Sequence, residues 1–457
     1  MNPEARFGSI LFDGPPHRTE NDDPSMFSDL SLDQVFAAVA AGRDEYDLMP
    51  LFCIPLRDVR AVEYRHQVLQ DLENNAVSDA VAEFADRLRE MRKHLVQVNK
   101  LPARYQKERW FLGATSIYCD AVLALTDALT GVELGSRGLA EFRQYLVEYT
   151  GSPAFTGLVA DIAMVTRLLD EVRYFVNWPE MNHVEAFQAL DEFCARYIRY
   201  VDERIRRFDR EVQFYAAYLA FIAPMRAAGL EFCYPAVSVE SKKIAVHGSF
   251  DLALAAKLMP RASAVVRNDF HLDGPERIFV VTGPRHGGKT TFARTFGQLH
   301  YLASLGYLVP AAEASLFLPG RVSTRFEREE DLATLHGKFK DELVRIHAVL
   351  QQATRDSVLV MNESFASTAL RDALFVGHRV LGQMTDAGLL GVYVTFADEL
   401  ASLNEVCVSM VATVVEDHPA ERTYRLVRKP ADGLAYAAAI AGKYGLTYRQ
   451  LKERLAS

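Results

Sequence analysis

The segment Gly283-Pro-Arg-His-Gly-Gly-Lys289-Thr290 constrains this chain more than any other feature. Arg277-Ile-Phe-Val-Val-Thr282 before it reads as a buried strand. After it, Phe292, Thr295, Phe296 and Leu299 recur at helical spacing. A glycine-spaced loop ending in Lys-Thr between a strand and a helix has one well-defined chemical use. Successive backbone N–H groups and the positive helix end cradle phosphates, while the glycines allow close approach. The Lys289 ammonium neutralises the outer phosphate oxygens, and the Thr290 hydroxyl holds Mg2+. The expected contact set is therefore Gly283, Pro284, Arg285, His286, Gly287, Gly288, Lys289, Thr290 and Thr291, with ATP and Mg2+ as cofactors.

Such a loop needs an acidic partner on a later strand. Asp356-Ser-Val-Leu-Val-Met361-Asn362-Glu363 has that form, four apolar residues followed by polar ones at the strand's carboxyl end. The metal-side position is Asn362, an amide without charge. Two unit charges 4 Å apart interact by about 4 kcal/mol at an effective dielectric of 20, so the metal is held more weakly here. Glu363 is the candidate general base, and Thr290 with Asn362 forms the candidate metal pair.

Along the chain the texture changes once. From Leu32 to about Leu230 apolar residues recur every three or four positions, as in Val81, Phe84, Leu88, Met91 and Leu95. Breaks near Leu101-Pro102, Thr130-Gly131, Gly151-Ser152-Pro153 and Trp178-Pro179 divide this region into long amphipathic helices. Its last helix is expected to carry Arg196, Arg199, Arg204, Arg206, Arg207 and Arg210, with Asp202, Glu203, Asp209 and Glu211 interleaved. That pattern fits either a phosphate-contacting stripe or a salt-bridged solvated face. After Tyr234-Pro235, short β-branched runs alternate with helices, the rhythm of a doubly wound sheet. The expected organisation is an N-terminal arm (1–29), loosely held, a helical domain (30–240) and an α/β domain (241–457).

Composition limits the alternatives. At 457 residues the chain holds two or three domains, and 49% hydrophobic with 24% charged residues is ordinary globular usage. No signal peptide is apparent, and no uncharged run of about 20 apolar residues appears. The expectation is a cytoplasmic protein without a membrane span. Cys53, Cys119, Cys194, Cys233 and Cys407 lie too far apart for a zinc or disulfide pattern. A net charge of −9 gives no global attraction to nucleic acid, so any DNA contact needs a local basic patch.

The chain resembles the MutS mismatch-repair ATPase family over roughly residues 30 to 455. The loop is similar to that family's GPN-type loop, with Arg285 where Asn is usual. Val309-Pro310-Ala311, Phe339, Glu342, Asn362-Glu363 and Asp372 match further landmarks, while Gly337 and Lys338 replace Ser and Thr. Tyr393-Val394-Thr395-Phe396 resembles an Ala-Thr-His strand, with Phe396 in the histidine's place. Upstream, Tyr46-Asp-Leu-Met-Pro-Leu-Phe and Tyr64-Arg65-His-Gln67 look like the start of the family's core and lever region.

The resemblance implies a long-helix core and lever region followed by a doubly wound, ABC-like P-loop ATPase domain. It implies that Arg267-Asn268-Asp269-Phe270 flanks the adenine, with Phe270 in contact, and that the segment from Gly433 to Leu446 forms dimerisation helices. Leu434, Tyr436, Ala439, Ile440, Tyr444, Leu446 and Leu451 would supply their apolar face. It further implies a homodimeric, ATP-gated DNA clamp. The chain has no room for mismatch-reading and connector domains, so specific mismatch recognition is not expected. The departures at Asn362 and Phe396 imply slow hydrolysis. The rival reading is an ATP-stabilised dimer that engages a protein partner with negligible turnover. An ABC-type or small-molecule-kinase P-loop enzyme fits less well, because no Leu-Ser-Gly-Gly-Gln signature or substrate lid is found.

Overall fold

The computed structural model describes residues 7–14, 25–174, 181–259, 264–327, 338–363, 365, 368–415 and 418–431, with 448, 452 and 454. Gly337, Trp178-Pro179 and the apolar residues expected in the C-terminal helices lie outside this set. The chain is a mixture of helix and sheet. It divides into two compact units, one from Met1–His17, Glu45–Leu48 and Glu63–Tyr218, the other from Arg18–Asp44, Met49–Val62 and Leu219–Ser457.

The first unit is helical. Helix Asn75–Val98 starts where the Asn74 side chain accepts the Ala76 N–H, a cap for an otherwise orphaned donor. Its Val81, Phe84, Leu88 and Met91 stripe is buried as the spacing predicts. It packs along helix Arg104–Thr130. That 27-residue helix is long and apolar enough to cross a membrane, unlike the sequence expectation. Tyr118, Ala121, Val122, Leu125 and Leu129 are nevertheless buried within the unit, as in a core helix of a globular domain.

The single arginine-bearing helix expected from sequence is two helices, Met181–Arg196 and Glu203–Ala227, with Arg199 in the turn between them. Arg196 pairs with Asp161 at 2.8 Å and Arg206 with Glu203 at 2.8 Å, while Arg204 lies over the Tyr145 ring. Arg207 donates to Gly8 O at 2.8 Å, and Arg210 donates to Tyr46 O and Asp47 O. Apart from the intrahelical Arg206–Glu203 pair, these contacts tie the helices to other segments of the unit.

Two of the interleaved acids are buried rather than solvated. Asp209 meets Arg92 at 2.8 Å, and Glu211 accepts from the Ser9 hydroxyl and the Ile10 N–H, both at 2.9 Å. Burial pushes both carboxyls above their ordinary range. Together with Phe7, Ile10 and Leu11, all buried, these bonds fix residues 7–12, so the expected loose arm is absent at these positions.

Among the described residues the second unit carries ten strands: β1 Ala236–Ser238, β2 Ile244–Ser249, β3 Asn268–Leu272, β4 Ile278–Thr282, β5 Glu313–Phe317, β6 Arg321–Phe326, β7 Ser357–Asn362, β8 Leu390–Val394, β9 Cys407–Val415 and β10 His418–Arg428. They form a four-stranded sheet in the order β1-β5-β2-β3 and a six-stranded sheet in the order β10-β9-β4-β8-β7-β6. Within the larger sheet β9, β4, β8, β7 and β6 are parallel and β10 is an antiparallel edge. Every residue of β4, β7 and β8 is buried, as continuous apolar runs flanked by helices require.

Helix Lys289–Ser304 follows β4 and is almost wholly buried. Its outer side is covered by residues from the start of the chain. Gln298 Nε2 donates to Leu30 O at 2.8 Å, Leu30 packs over Gly297, and the Tyr301 hydroxyl donates to Phe52 O at 2.8 Å. Phe36 stacks on Phe52 with centroids 4.6 Å apart. Residues 25–44 and 49–62, read from sequence largely as part of the helical region, thus pack on the helix that follows the glycine loop.

His300 on that helix is fully buried, with Nδ1 2.8 Å from Phe317 O. A carbonyl only accepts, so the neutral ring carries its proton on Nδ1. Burial pulls the imidazole down to about 4 from 6.5. The unfolded chain therefore binds a proton between pH 6.5 and 4 that the native state refuses, and stability falls as pH drops through that window. From pH 7 to pH 5 the wild-type chain should lose about 2 kcal/mol more than His300→Gln, as read by urea unfolding.

Candidate functional site

The loop between β4 and helix Lys289–Ser304 lies at the carboxyl edge of the parallel sheet. Its shape depends on backbone that side chains rarely tolerate. Gly283 has φ 115° and Gly288 φ 95°, and a Cβ built on Gly283 would lie 2.8 Å from Ala412 O. His286, at φ 58°, is held in the left-handed region despite its side chain. Gly288 lets Tyr424, itself at φ 58° on β10, bring its backbone against the loop.

Lys289 opens the helix and is only 3% exposed. Its ammonium donates to Gly283 O at 3.1 Å and Pro284 O at 2.9 Å and lies 4.6 Å from the Phe396 ring centroid. Among the described residues no carboxylate pairs with it. Burial pulls this ammonium below its ordinary pKa; Arg285 and Arg422 push the same way, while Glu363 and Asp398 oppose. A buried cation that has only neutral acceptors is poised for an anion.

Beside it, the Thr290 hydroxyl donates to Asn362 Oδ1 at 3.1 Å. The sequence-read metal pair is thus brought into contact, though both oxygens are neutral. Glu363 follows at φ 53°, its N–H donating to Val394 O at 3.1 Å, so the chain turns sharply as β7 ends. Glu342 and Phe339 brace that turn: a Glu342 carboxylate oxygen accepts the Phe365 N–H at 2.8 Å, and the Phe339 and Phe365 rings are 5.9 Å apart.

A cavity of about 810 Å3 opens over the loop, lined by Arg285, His286, Gly287, Gly288, Lys289, Thr290, Thr291 and Glu363 among others. Gly283 and Pro284 contribute the carbonyls under Lys289, and Asn362 lies behind Thr290. Phe270 is not in the lining. It is 3% exposed, packed among Phe279, Phe292 and Phe296, because its place on β3 turns the ring into the core. The same strand offers Asn268 instead, whose side chain donates to Tyr424 O and accepts the Leu426 N–H.

Sequence reasoning also missed Phe250, Leu254, Leu258 and Val266, which form an apolar end to the cavity, and the acids Glu327 and Asp251. Glu327 stands one residue past β6, at the sheet edge where ligands gather, a signal that strand order would have supplied. Asp251 is half of a buried pair with Arg294 at 3.2 Å.

The parallel sheet with flanking helices and a glycine loop at a strand-helix junction is an architecture of mixed helix and sheet, of the α/β kind. Residues 279–449 match the family profile of MutS domain V. A DNA mismatch repair protein MutS from Psychrobacter cryohalolentis is 34% identical over 145 residues, 31% of this chain and 14% of that protein. Its namesake from Erythrobacter litoralis is 30% identical over 225 residues, 48% of this chain and 26% of that protein. A third, from Lactobacillus helveticus, is 28% identical over 228 residues, 49% and 26% respectively. Residues 279–449 are thus similar to MutS domain V, and the matched segment spans about a quarter or less of these relatives' length.

The loop geometry predicts its own sensitivity. Gly283→Ala combines positive φ with overlap on Ala412 O and should cost about 2–4 kcal/mol. Gly274→Ala, at φ 55° with open space around it, should cost about 1 kcal/mol. Denaturant midpoints of the two variants check the difference.

Proposed function

We propose that this chain is a MutS-type P-loop ATPase that binds ATP with Mg2+ at residues 283–291. Its nucleotide state would gate a homodimer closed on DNA, in repair or recombination. The observation that carries this reading is the buried Lys289 ammonium, held among the described residues by two loop carbonyls and the Phe396 ring, beside the Thr290–Asn362 pair. Gly283, Gly287 and Gly288 fit the role of a cradle, since side chains there would crowd Ala412, Pro284 or Tyr424. The relatives' name supports DNA as partner and repair as setting.

In this reading the loop amides and Lys289 bind and orient the phosphates, and the apolar end near Phe250 and Leu254 receives the base. Thr290 and Asn362 would hold the metal, which when bound spreads the charge of the phosphate oxygens. Glu363 orients and deprotonates the attacking water. Thr290 and Asn362 would offer a metal only neutral oxygens, so its binding would depend on the nucleotide's own charge and turnover would be slow.

Asn362 and the Phe396 ring over Lys289 also favour a second reading, an ATP-stabilised dimer that engages a protein partner with negligible hydrolysis. Steady-state ATPase rates with and without mismatched or branched DNA separate the two. DNA stimulation supports the clamp; a rate indistinguishable from background on every DNA favours the binding module. Asn362→Asp should tighten the magnesium midpoint and raise turnover; an unchanged midpoint and rate would show that strand β7 does not serve the metal.

Lys289→Ala should abolish ATP binding at micromolar concentrations, measured by fluorescence anisotropy of a labelled nucleotide. Equal affinity in variant and wild type sinks the loop assignment.

A further inference from the structure

Arg285 and Phe396 both line the cavity, yet the reading above gives neither side chain a specific task. The Arg285 guanidinium lies 5.4 Å from the Phe396 ring centroid, the same ring that carries the Lys289 ammonium at 4.6 Å. Among the described residues that guanidinium meets no carboxylate and no hydrogen-bond acceptor. Two cations against one aromatic ring repel each other, and the ring's negative face offsets only part of that repulsion. The arrangement is stabilised when an anion arrives between them.

The backbone aims this side chain. Arg285 O accepts from Arg422 Nε at 3.1 Å, and His286 follows at φ 58°, so the departure of the Arg285 side chain from the loop is set on both sides. Phe396 stands two residues past β8, and the Thr395 N–H before it donates to Val281 O at 3.0 Å. A guanidinium offers five donors in a planar fork that matches phosphoryl oxygens, and it stacks well on an aromatic face.

We propose that Arg285 reads the terminal phosphate of a nucleoside triphosphate, with the Phe396 ring as the shelf that holds its guanidinium beside Lys289. The inference rests on the nucleotide reading above and adds discrimination to it. A diphosphate lacks the group that Arg285 meets, so this residue separates ATP from ADP rather than strengthening both. Phe396 acts as a positioning residue, through Arg285.

The test is titration calorimetry of the full chain with magnesium, using ADP and a non-hydrolysable ATP analogue. Wild type, Arg285→Gln, Arg285→Lys and Phe396→Leu are compared. Arg285→Gln should weaken the triphosphate analogue about tenfold or more while ADP affinity stays within about twofold. Arg285→Lys should recover part of the loss, since it keeps the charge without the fork, and Phe396→Leu should lose an intermediate share. Equal weakening of both nucleotides by Arg285→Gln, or no weakening of either, overturns the inference while leaving the nucleotide reading intact. Failure of the wild-type chain to bind either nucleotide overturns that reading and the inference with it.

Discussion

One buried charge organises the carboxyl edge of the larger sheet. The Lys289 ammonium lies where water reaches little of it, and removing an ion from water is costly unless polar groups replace its hydration. Gly283 O and Pro284 O do so, and they point inward because Gly283 adopts a φ that a side chain would obstruct against Ala412. The loop geometry, the packing of β4 against β9 and the position of Lys289 are therefore one constraint. Displacing any of the three disturbs the others.

The likeness to MutS domain V covers the strands and helices around this edge, and the departures from the family's pattern have local physical meaning. Asn362 keeps the hydrogen bond to Thr290 that closes the end of β7, so the strand end is satisfied without charge. Phe396 puts an aromatic face over the ammonium, a contact a smaller side chain could not make. The site is thereby less acidic than a loop of this type with a carboxylate at the strand end. Glu327 and Glu363 remain in the cavity lining as its accessible acids among the described residues.

The loop, its strand and its helix were legible because all their determinants lie within about twenty consecutive residues. The buried stripe of Asn75–Val98 was legible for the same reason. Failures came where the deciding contact is remote. Phe270 reads as a base-stacking aromatic, but alternation along β3 and three phenylalanines from other segments draw it into the core. Asn268 gives no local hint that it bridges two backbone groups on β10, over 150 residues away. The arginines near residue 200 read as one charged face because apolar residues continue the helical period through the turn at 197–202, and their partners Gly8, Tyr46 and Asp161 are distant.

The hydrogen bond from Gln298 to Leu30 spans 268 residues of sequence. Until residue 298 has emerged from the ribosome, Phe27, Phe36 and Leu30 lack the helix that covers them. For that interval they are exposed apolar surface on a nascent chain. Closing so long a loop costs only slightly more entropy than closing a short one, yet it delays the search for the contact. The glycine loop, although encoded in eight consecutive residues, thus rests on a helix whose burial is completed by a segment made 268 residues earlier, which must wait for it.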